Sequence, residues 1–495
     1  MSRPNATATG LAPEILERFE PVIGIETHVQ LKTAAKIFCA CSARFGDPPN
    51  HNTCPVCLGL PGALPVLNRR ALELAMKAAL ALHCTVQERS RFARKNYFYP
   101  DLPKGYQISM YELPLATAGW LEIEHGDRTK RIGITRMHLE DDAAKGMHEG
   151  FPDSARNTYI DFNRGGVPLV EIVSEPDLRS PQEAHAYLTA LKQVLLYTEV
   201  SDCNMEEGSL RCDANVSVRR RGEHDFGTKT EVKNLNSFRY LEHALEYEIE
   251  RQVQLLESGG QVTQETRLWN VPAGRTEPMR SKEYAHDYRY FPEPDLLPVR
   301  VSEAIKARVL QEMPELPAAR RARFASEYGI TPYDAGVLTA TRELADYFEQ
   351  TVRAGAAAKT AANWIQTELL RLLNDSGKDI SHSPVNPASL AKLINLLENQ
   401  ITTTGAKAAL SIAFKTGEDP ELIVKREGFA QITDTSAIER ACHEAIEKNP
   451  DQVAKFRAGN EGVFKFLVGQ VMRATRGQAN PQAVNDTLRR LLAAP

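Results

Sequence analysis

Residues 22–31 read VIGIETHVQL. The β-branched residues predict a strand, and a strand's side chains alternate between its faces. Ile23, Ile25, Thr27, Val29 and Leu31 then share one side, and Glu26 and His28 share the other. At a rise of about 3.3 Å per residue the carboxylate and the imidazole stand roughly 6.5–7 Å apart, close enough for both to reach one ion. An antiparallel strand with one solvated face has the same pattern, so the decision falls to the neighbouring segments.

Those segments repeat the motif. In SLRCDANVSVRR (209–220), Arg211, Asp213, Asn215 and Ser217 alternate with Leu210, Cys212, Ala214, Val216 and Val218. LEIEHGDRTKRIGITRMHLE (121–140) predicts a hairpin turning at Gly126-Asp127. Its second strand ends in MHLEDDAAK, where His138 and Glu140 share a face with Arg136 and Asp141 points away while the strand lasts. LVEIVSEPDL reads as a further strand, TEVKNLN places Glu231 and Lys233 on one face, and Glu265 lies in QETRLW.

Three helical patterns intervene, at 69–83, 180–198 and 237–260. The second opens with Ser180 as N-cap, Pro181 at the first helical position and Glu183 three residues on, and the third stops at Gly259-Gly260. Strands mixed with helices predict an α+β domain on an antiparallel sheet over residues 21–300, after a loose N-terminus at 1–20. Beyond FPEPDLLPV helical periodicity dominates, dividing into a helical domain at 301–420 and a small helical tail at 421–495.

Of the 495 residues 42% are hydrophobic and 25% charged, as in an ordinary globular protein. No run approaches the ~20 apolar residues of a membrane helix, and MSRPNATATGLAPEILERFE resembles neither a signal peptide nor a transit peptide, which predicts a cytoplasmic protein. Net charge is −4, so any nucleic-acid contact must come from a local patch. Residues 451–495 supply one: seven Lys and Arg stand against three acids. This suits phosphate contact and equally a solvated basic face. In the same tail Phe464, Leu467, Val468, Val471 and Met472 form an i, i+3, i+4 stripe, which predicts a core-facing helix.

Cys39, Cys41, Cys54 and Cys57 form C-x-C and C-x-x-C pairs twelve residues apart, among Gly and Pro. Four thiolates on two tight turns suit a closed structural zinc site, against the alternative of four unligated buried thiols. The acids of the sheet are hard oxygen ligands suited to Mg²⁺ and, through it, to nucleotide phosphates. No GxxxxGK[ST] loop is present, so ATP would be held by metal and by Arg and Lys.

Taken together, VIGIETHVQL, CPVCLGLPGALPVLN, RKNYFYPDLPKGYQIS, RIGITRMHLEDDAAK, LVEIVSEPDLRSPQEA, MEEGSLRCDANVSVR, EVKNLNSF, DYRYFPEPDLLP, PYDAGVLT, ANWIQTELLRLLN and FLVGQVMRATRGQANP resemble, in order and over most of the chain, the B subunits of aspartyl/glutamyl-tRNA amidotransferases. The resemblance implies a cradle similar in fold to the glutamine synthetase catalytic domain. It implies that ATP and Mg²⁺ phosphorylate the side-chain carboxylate of Glu-tRNA(Gln) or Asp-tRNA(Asn), and that ammonia then displaces the phosphate. Carried over by position, Glu26, His28, Glu140, Asp141, Asp213 and Glu231 would be catalytic. Glu26, His28, Glu140, Asp141, Glu206 and Glu265 would hold Mg²⁺, and Arg211, Asn215, Lys233 and Asn234 would touch nucleotide or the terminal adenosine. The chain has EDDAAK where the family commonly has EEDAGK, which leaves the ligand among Glu140, Asp141 and Asp142 open. The resemblance further implies a zinc site at the four cysteines and a tail docked on tRNA. It also implies a heterotrimer with an amidase A subunit that supplies ammonia through a tunnel and a small C subunit. A ligase amidating a free amino acid, and a non-catalytic zinc-containing RNA-binding module, are the alternatives.

Overall fold

The computed structural model describes residues 11, 13–126, 128–279, 288–430, 435–475 and 478–493. Most of the expected loose N-terminus, Asp127 of the hairpin turn, Asp287, Arg476 and Gly477 lie outside the described residues.

The strands that carry the architecture are β1 (Phe19–Gln30), β2 (Arg89–Asn96), β3 (Tyr106–Leu113), β4 (Ala116–His125), β5 (Arg128–Asp141), β6 (Pro168–Ser174), β7 (Leu210–Arg220), β8 (Thr230–Lys233), β9 (Thr266–Asn270) and β10 (Arg275–Pro278). They lie hydrogen-bonded in the order β10-β9-β8-β7-β1-β6-β5-β3-β2, with β4 pairing β5 beside that path. The predicted hairpin is β4 and β5, paired from Ala116–Met137 to His125–Arg128. Among the described residues the sheet is antiparallel with one exception: β8 and β9 run parallel. A parallel pair needs a crossover, and between these strands lies the 20-residue helix Phe238–Glu257.

That helix (α3), with α1 (Arg69–Ala81) and α2 (Pro181–Tyr197), contributes to a single core with the sheet. Their ends follow the sequence signals. Ser180 Oγ accepts from the Glu183 N–H at 3.1 Å and Ser237 Oγ from the Tyr240 N–H at 3.1 Å, while Gly259, at φ +79°, stops α3 in a conformation that a Cβ would strain. The strand faces are sharply divided. Ile23, Ile25 and Val29 of β1, Cys212, Ala214 and Val216 of β7, Val170 and Ile172 of β6, and Met137 and Leu139 of β5 are all buried in this core. Burying each such aliphatic side chain contributes about 1.5–3 kcal/mol, so a one-residue slip of β1 would place Glu26 and His28 in the core. This locks the register and, with it, the polar face.

The chain divides into two compact units, to Leu316 and from Pro317. The helix Glu303–Gln311 belongs to the first, where Val309 joins the same core. The second unit is helical, with one hydrophobic core built from residues 324–424 and another from 438–492. The predicted stripe lies on the helix Phe464–Ala474, with Leu467 and Val471 fully buried and Phe464, Val468 and Met472 packed against them. Among the described residues no helix is long and apolar enough to cross a membrane.

Candidate active site

Register builds the site. His28 of β1 stands opposite Glu171 of β6, which stands opposite His138 of β5, so three central strands place imidazole, carboxylate and imidazole in one row. Glu26 lies two residues along β1 on the same face, and Glu140 two residues along β5. His28 Nε2 comes within 3.7 Å of Glu26 Oε1, 3.6 Å of Glu140 Oε1 and 3.5 Å of Glu171 Oε2. His138 Nε2 lies 3.7 Å from Glu140 Oε2 and 3.4 Å from Glu171 Oε2, and Arg136 Nη2 lies 3.5 Å from Glu171 Oε1.

Two overlapping sets could each hold an ion, Glu26–His28–Glu171 and His138–Glu140–Glu171, and both use Glu171. Three carboxylates supply the oxygens that a hard divalent cation requires. Both ring nitrogens of His138 are buried without a hydrogen-bond partner, an open donor set of the kind a ligand completes. The residues fit magnesium. The field among them is strong. Burial alone would lower the pKa of His28, yet Glu171, Glu140 and Glu26 raise it to about 9. Burial would raise that of Glu171, and His138, His28 and Arg136 hold it at about 2. Burial and the neighbouring Glu171 push Glu26 upward.

The polar face continues across β7 and β8. Asp213 pairs in register with Glu26, and Lys233 Nζ bridges Asp213 Oδ2 at 2.9 Å and Glu231 Oε1 at 3.0 Å. Glu231 also accepts from Thr266 Oγ1 at 2.7 Å. Asn215 stands between Gly24 and Glu231 in the ladder, and Arg211 opposite His28. The strand persists through Asp141, so alternation holds. Asp142 joins the polar side, binding Gln30 Nε2 and Arg211 Nη2 at 2.8 Å each.

Four predicted residues stand apart from the cluster. Asp141 is buried on the other side, bonded to Lys104 and accepting from the Ile108 N–H at 2.7 Å. Glu265 is drawn to Arg267 at 2.5 Å, and Arg267 reaches Glu248 of the covering helix α3 at 3.4 Å. Glu206 is exposed in the turn before β7. Asn234, at φ +67°, spends its amide on Trp269 O at 3.0 Å and its side-chain oxygen on Asn236. Glu171 is the residue the sequence left unmarked.

The four cysteines converge as a separate group. Cys57 Sγ lies 3.5 Å from Cys39 Sγ, 3.5 Å from Cys54 Sγ and 3.6 Å from Cys41 Sγ. A tetrahedral ion with bonds of about 2.3 Å would separate sulfurs by about 3.8 Å. The fully buried Lys36 sets its ammonium 3.6 Å from Cys57 Sγ, a counter-charge for thiolates. The hydrogen bond from Cys39 and the charge of Lys36 outweigh burial and bring the Cys57 thiol down to about 4. The group could hold a metal ion, and its donor set is that of structural zinc.

Comparison with known proteins gives the same neighbourhood throughout. Residues 21–307 match the model of the GatB/GatE catalytic domain, and residues 346–492 that of the GatB domain. The B subunit of the aspartyl/glutamyl-tRNA(Asn/Gln) amidotransferase of Carboxydothermus hydrogenoformans is 54% identical, over 97% of this chain and 100% of its own length. The B subunits of the same enzyme from Geobacter sulfurreducens and Caldanaerobacter subterraneus subsp. tengcongensis are 54% and 52% identical, each over 96% of this chain and 99% and 100% of their own lengths.

Proposed function

From the premise that the chain belongs to the GatB/GatE family, we propose that it is the kinase and transamidase subunit of a tRNA-dependent amidotransferase, acting on glutamyl-tRNA(Gln), aspartyl-tRNA(Asn) or both. The observation that carries this reading is the convergence of Glu26, His28, Glu140, His138 and Glu171 on one face of the sheet.

A carboxylate anion is a poor electrophile because its oxygen is a poor leaving group. One oxygen of the substrate's side-chain carboxylate attacks the γ-phosphorus of ATP, the bond to ADP breaks, and an acyl phosphate forms. Ammonia adds to the carbonyl carbon, gives up a proton, and inorganic phosphate leaves with the bridging oxygen. Such a transfer needs positioning and charge neutralisation more than covalent help from the protein. Glu26, His28, Glu140 and Glu171 would hold magnesium, with His138 completing the donor set, and bound magnesium supplies charge neutralisation at the phosphates. Lys233, oriented by Asp213 and Glu231, offers a fixed positive charge on the same face, and Arg211 a second one oriented by Asp142. Ammonia would come from the amidase partner, with a small third subunit in the assembly, in the cytoplasm. Zinc at the four cysteines would be structural, and the tail from about 421 would bind tRNA.

The test is ATP cleavage by the complex assembled with its partner subunits. ADP formation should depend on aminoacyl-tRNA, and removing residues after 420 should raise the KM for aminoacyl-tRNA about tenfold with the KM for ATP unchanged. A tRNA-independent ATPase, or a truncation without effect on tRNA, would contradict the respective half.

A further inference from the structure

Next to the acid cluster lies a set of tyrosines that neither the core nor the phosphoryl-transfer machinery uses. Tyr111 of β3 meets the His138 ring edge-on, with centroids 6.2 Å apart. Tyr290 stacks on Tyr111 at 5.0 Å and 16°, and the Arg136 guanidinium lies over Tyr111 at 4.4 Å. From there the rings continue through Tyr288, 6.1 Å from Tyr290, to Tyr97, 5.8 Å from Tyr288. Lys95 sets its ammonium 5.0 Å over Tyr288 and 5.8 Å over Tyr97. These rings are not core filler: Tyr111 is 42% exposed, and Tyr97, Tyr288 and Tyr290 keep part of their surface open.

The backbone is bent to present them. Arg289, between two of the tyrosines, takes a left-handed φ of +44°, a conformation that side-chain-bearing residues rarely adopt. Asn96 holds it there: its side-chain amide donates to Tyr288 O at 3.1 Å and Arg289 O at 2.8 Å, and its backbone N–H to Tyr288 O at 3.0 Å. Strained backbone fixed by a dedicated side chain marks a surface whose shape matters.

Half-exposed aromatic faces interleaved with cations suit an unpaired nucleobase and its phosphates. We infer that the Tyr111–Tyr290 stack and the tyrosines running out from it receive the unpaired 3′ end of the aminoacyl-tRNA, with the terminal base seated at Tyr290 and Tyr111. This deepens the proposed function and rests on it. Distance admits this occupant, and the row of four rings with Lys95 beside it suits a single strand of several bases better than one nucleotide. The carboxylate to be phosphorylated is tethered to the terminal ribose through five or six bonds of about 1.5 Å, so the terminal base must lie within about two ring widths of the reacting carbon. A platform beginning one ring contact from His138 answers that requirement. The adenine of ATP is tethered to its γ-phosphorus by a span of similar length, so the KM for ATP is the control that separates the two bases.

The test compares binding of two uncharged tRNAs to the assembled complex, one intact and one trimmed of its 3′-terminal nucleotide. The wild-type complex should lose about tenfold in affinity on trimming, as expected for one lost base stack. Tyr290→Ala should bind both tRNAs equally weakly, and Tyr290→Phe, which keeps the ring, should recover the difference. The KM for ATP should not move in either variant. An equal trimming penalty in wild type and Tyr290→Ala, or a rise in the KM for ATP alone, would overturn the inference. A wild-type complex that makes no amide from ATP and aminoacyl-tRNA would instead overturn the function on which it rests.

Discussion

Glu171→Gln should reduce amide formation by the assembled complex a hundredfold or more, on the order of the loss when one preorganised charged group is removed from a reacting centre. The substitution keeps shape and volume and removes only the charge. Glu171 belongs to both ion-capable sets and lies 3.5 Å from His28 and 3.4 Å from His138, so it has no substitute in the cluster. Without it the two imidazoles keep only Glu26 and Glu140, and Arg136 loses the carboxylate that lies 3.5 Å from it. The fall should therefore appear in kcat, with the melting midpoint changed by a few degrees at most, because the strand is fixed by its ladder and by Val170 and Ile172 in the core. Glu265→Gln, on the helix-covered side with Arg267, should cost less than about threefold. Equal losses from the two variants would show that the acids act through stability and not through a shared centre.

The second large effect should follow removal of metal from the cysteine group. Cys57→Ser, or treatment with a strong zinc chelator, should bring bound zinc from about one per chain to near zero. It should also lower the thermal midpoint of the first unit by roughly 5–10 °C. Cys57 touches the other three sulfurs and the buried Lys36 ammonium, so its loss opens the site and strands a buried charge. Zinc content by mass spectrometry and a melting curve read both effects. A protein purified without zinc, with the same midpoint before and after chelation, would mean that the four thiols pack without an ion.

The fold was legible where each strand face carries one chemistry. VIGIETHVQL and SLRCDANVSVRR alternate so cleanly that Ile23, Ile25, Cys212 and Ala214 in the core and Glu26, His28 and Asp213 on the polar side follow from period two alone. The same rule, continued through Asp141, separates Glu140 and Asp142 from Asp141. Glu171 escaped because its strand is apolar on both faces. Leu169 and Val173 flank it on its own side, and its importance comes from register with His28 and His138, a long-range pairing that no local spacing encodes. Glu265 and Asn234 stand at the ends of short strands. There one step of register or one left-handed φ redirects a side chain, and the parallel pairing of β8 with β9 depends on where the α3 crossover returns the chain.

The decisive measurement is an oxygen-transfer experiment. Glutamyl- or aspartyl-tRNA carrying ¹⁸O in its side-chain carboxylate is incubated with the complex, ATP, magnesium and glutamine, and the inorganic phosphate is weighed. Phosphorylation of the carboxylate requires one ¹⁸O in each phosphate released, because the bridging oxygen departs with the phosphorus. Phosphate that carries no label while amide is formed would mean that the carboxylate is never phosphorylated.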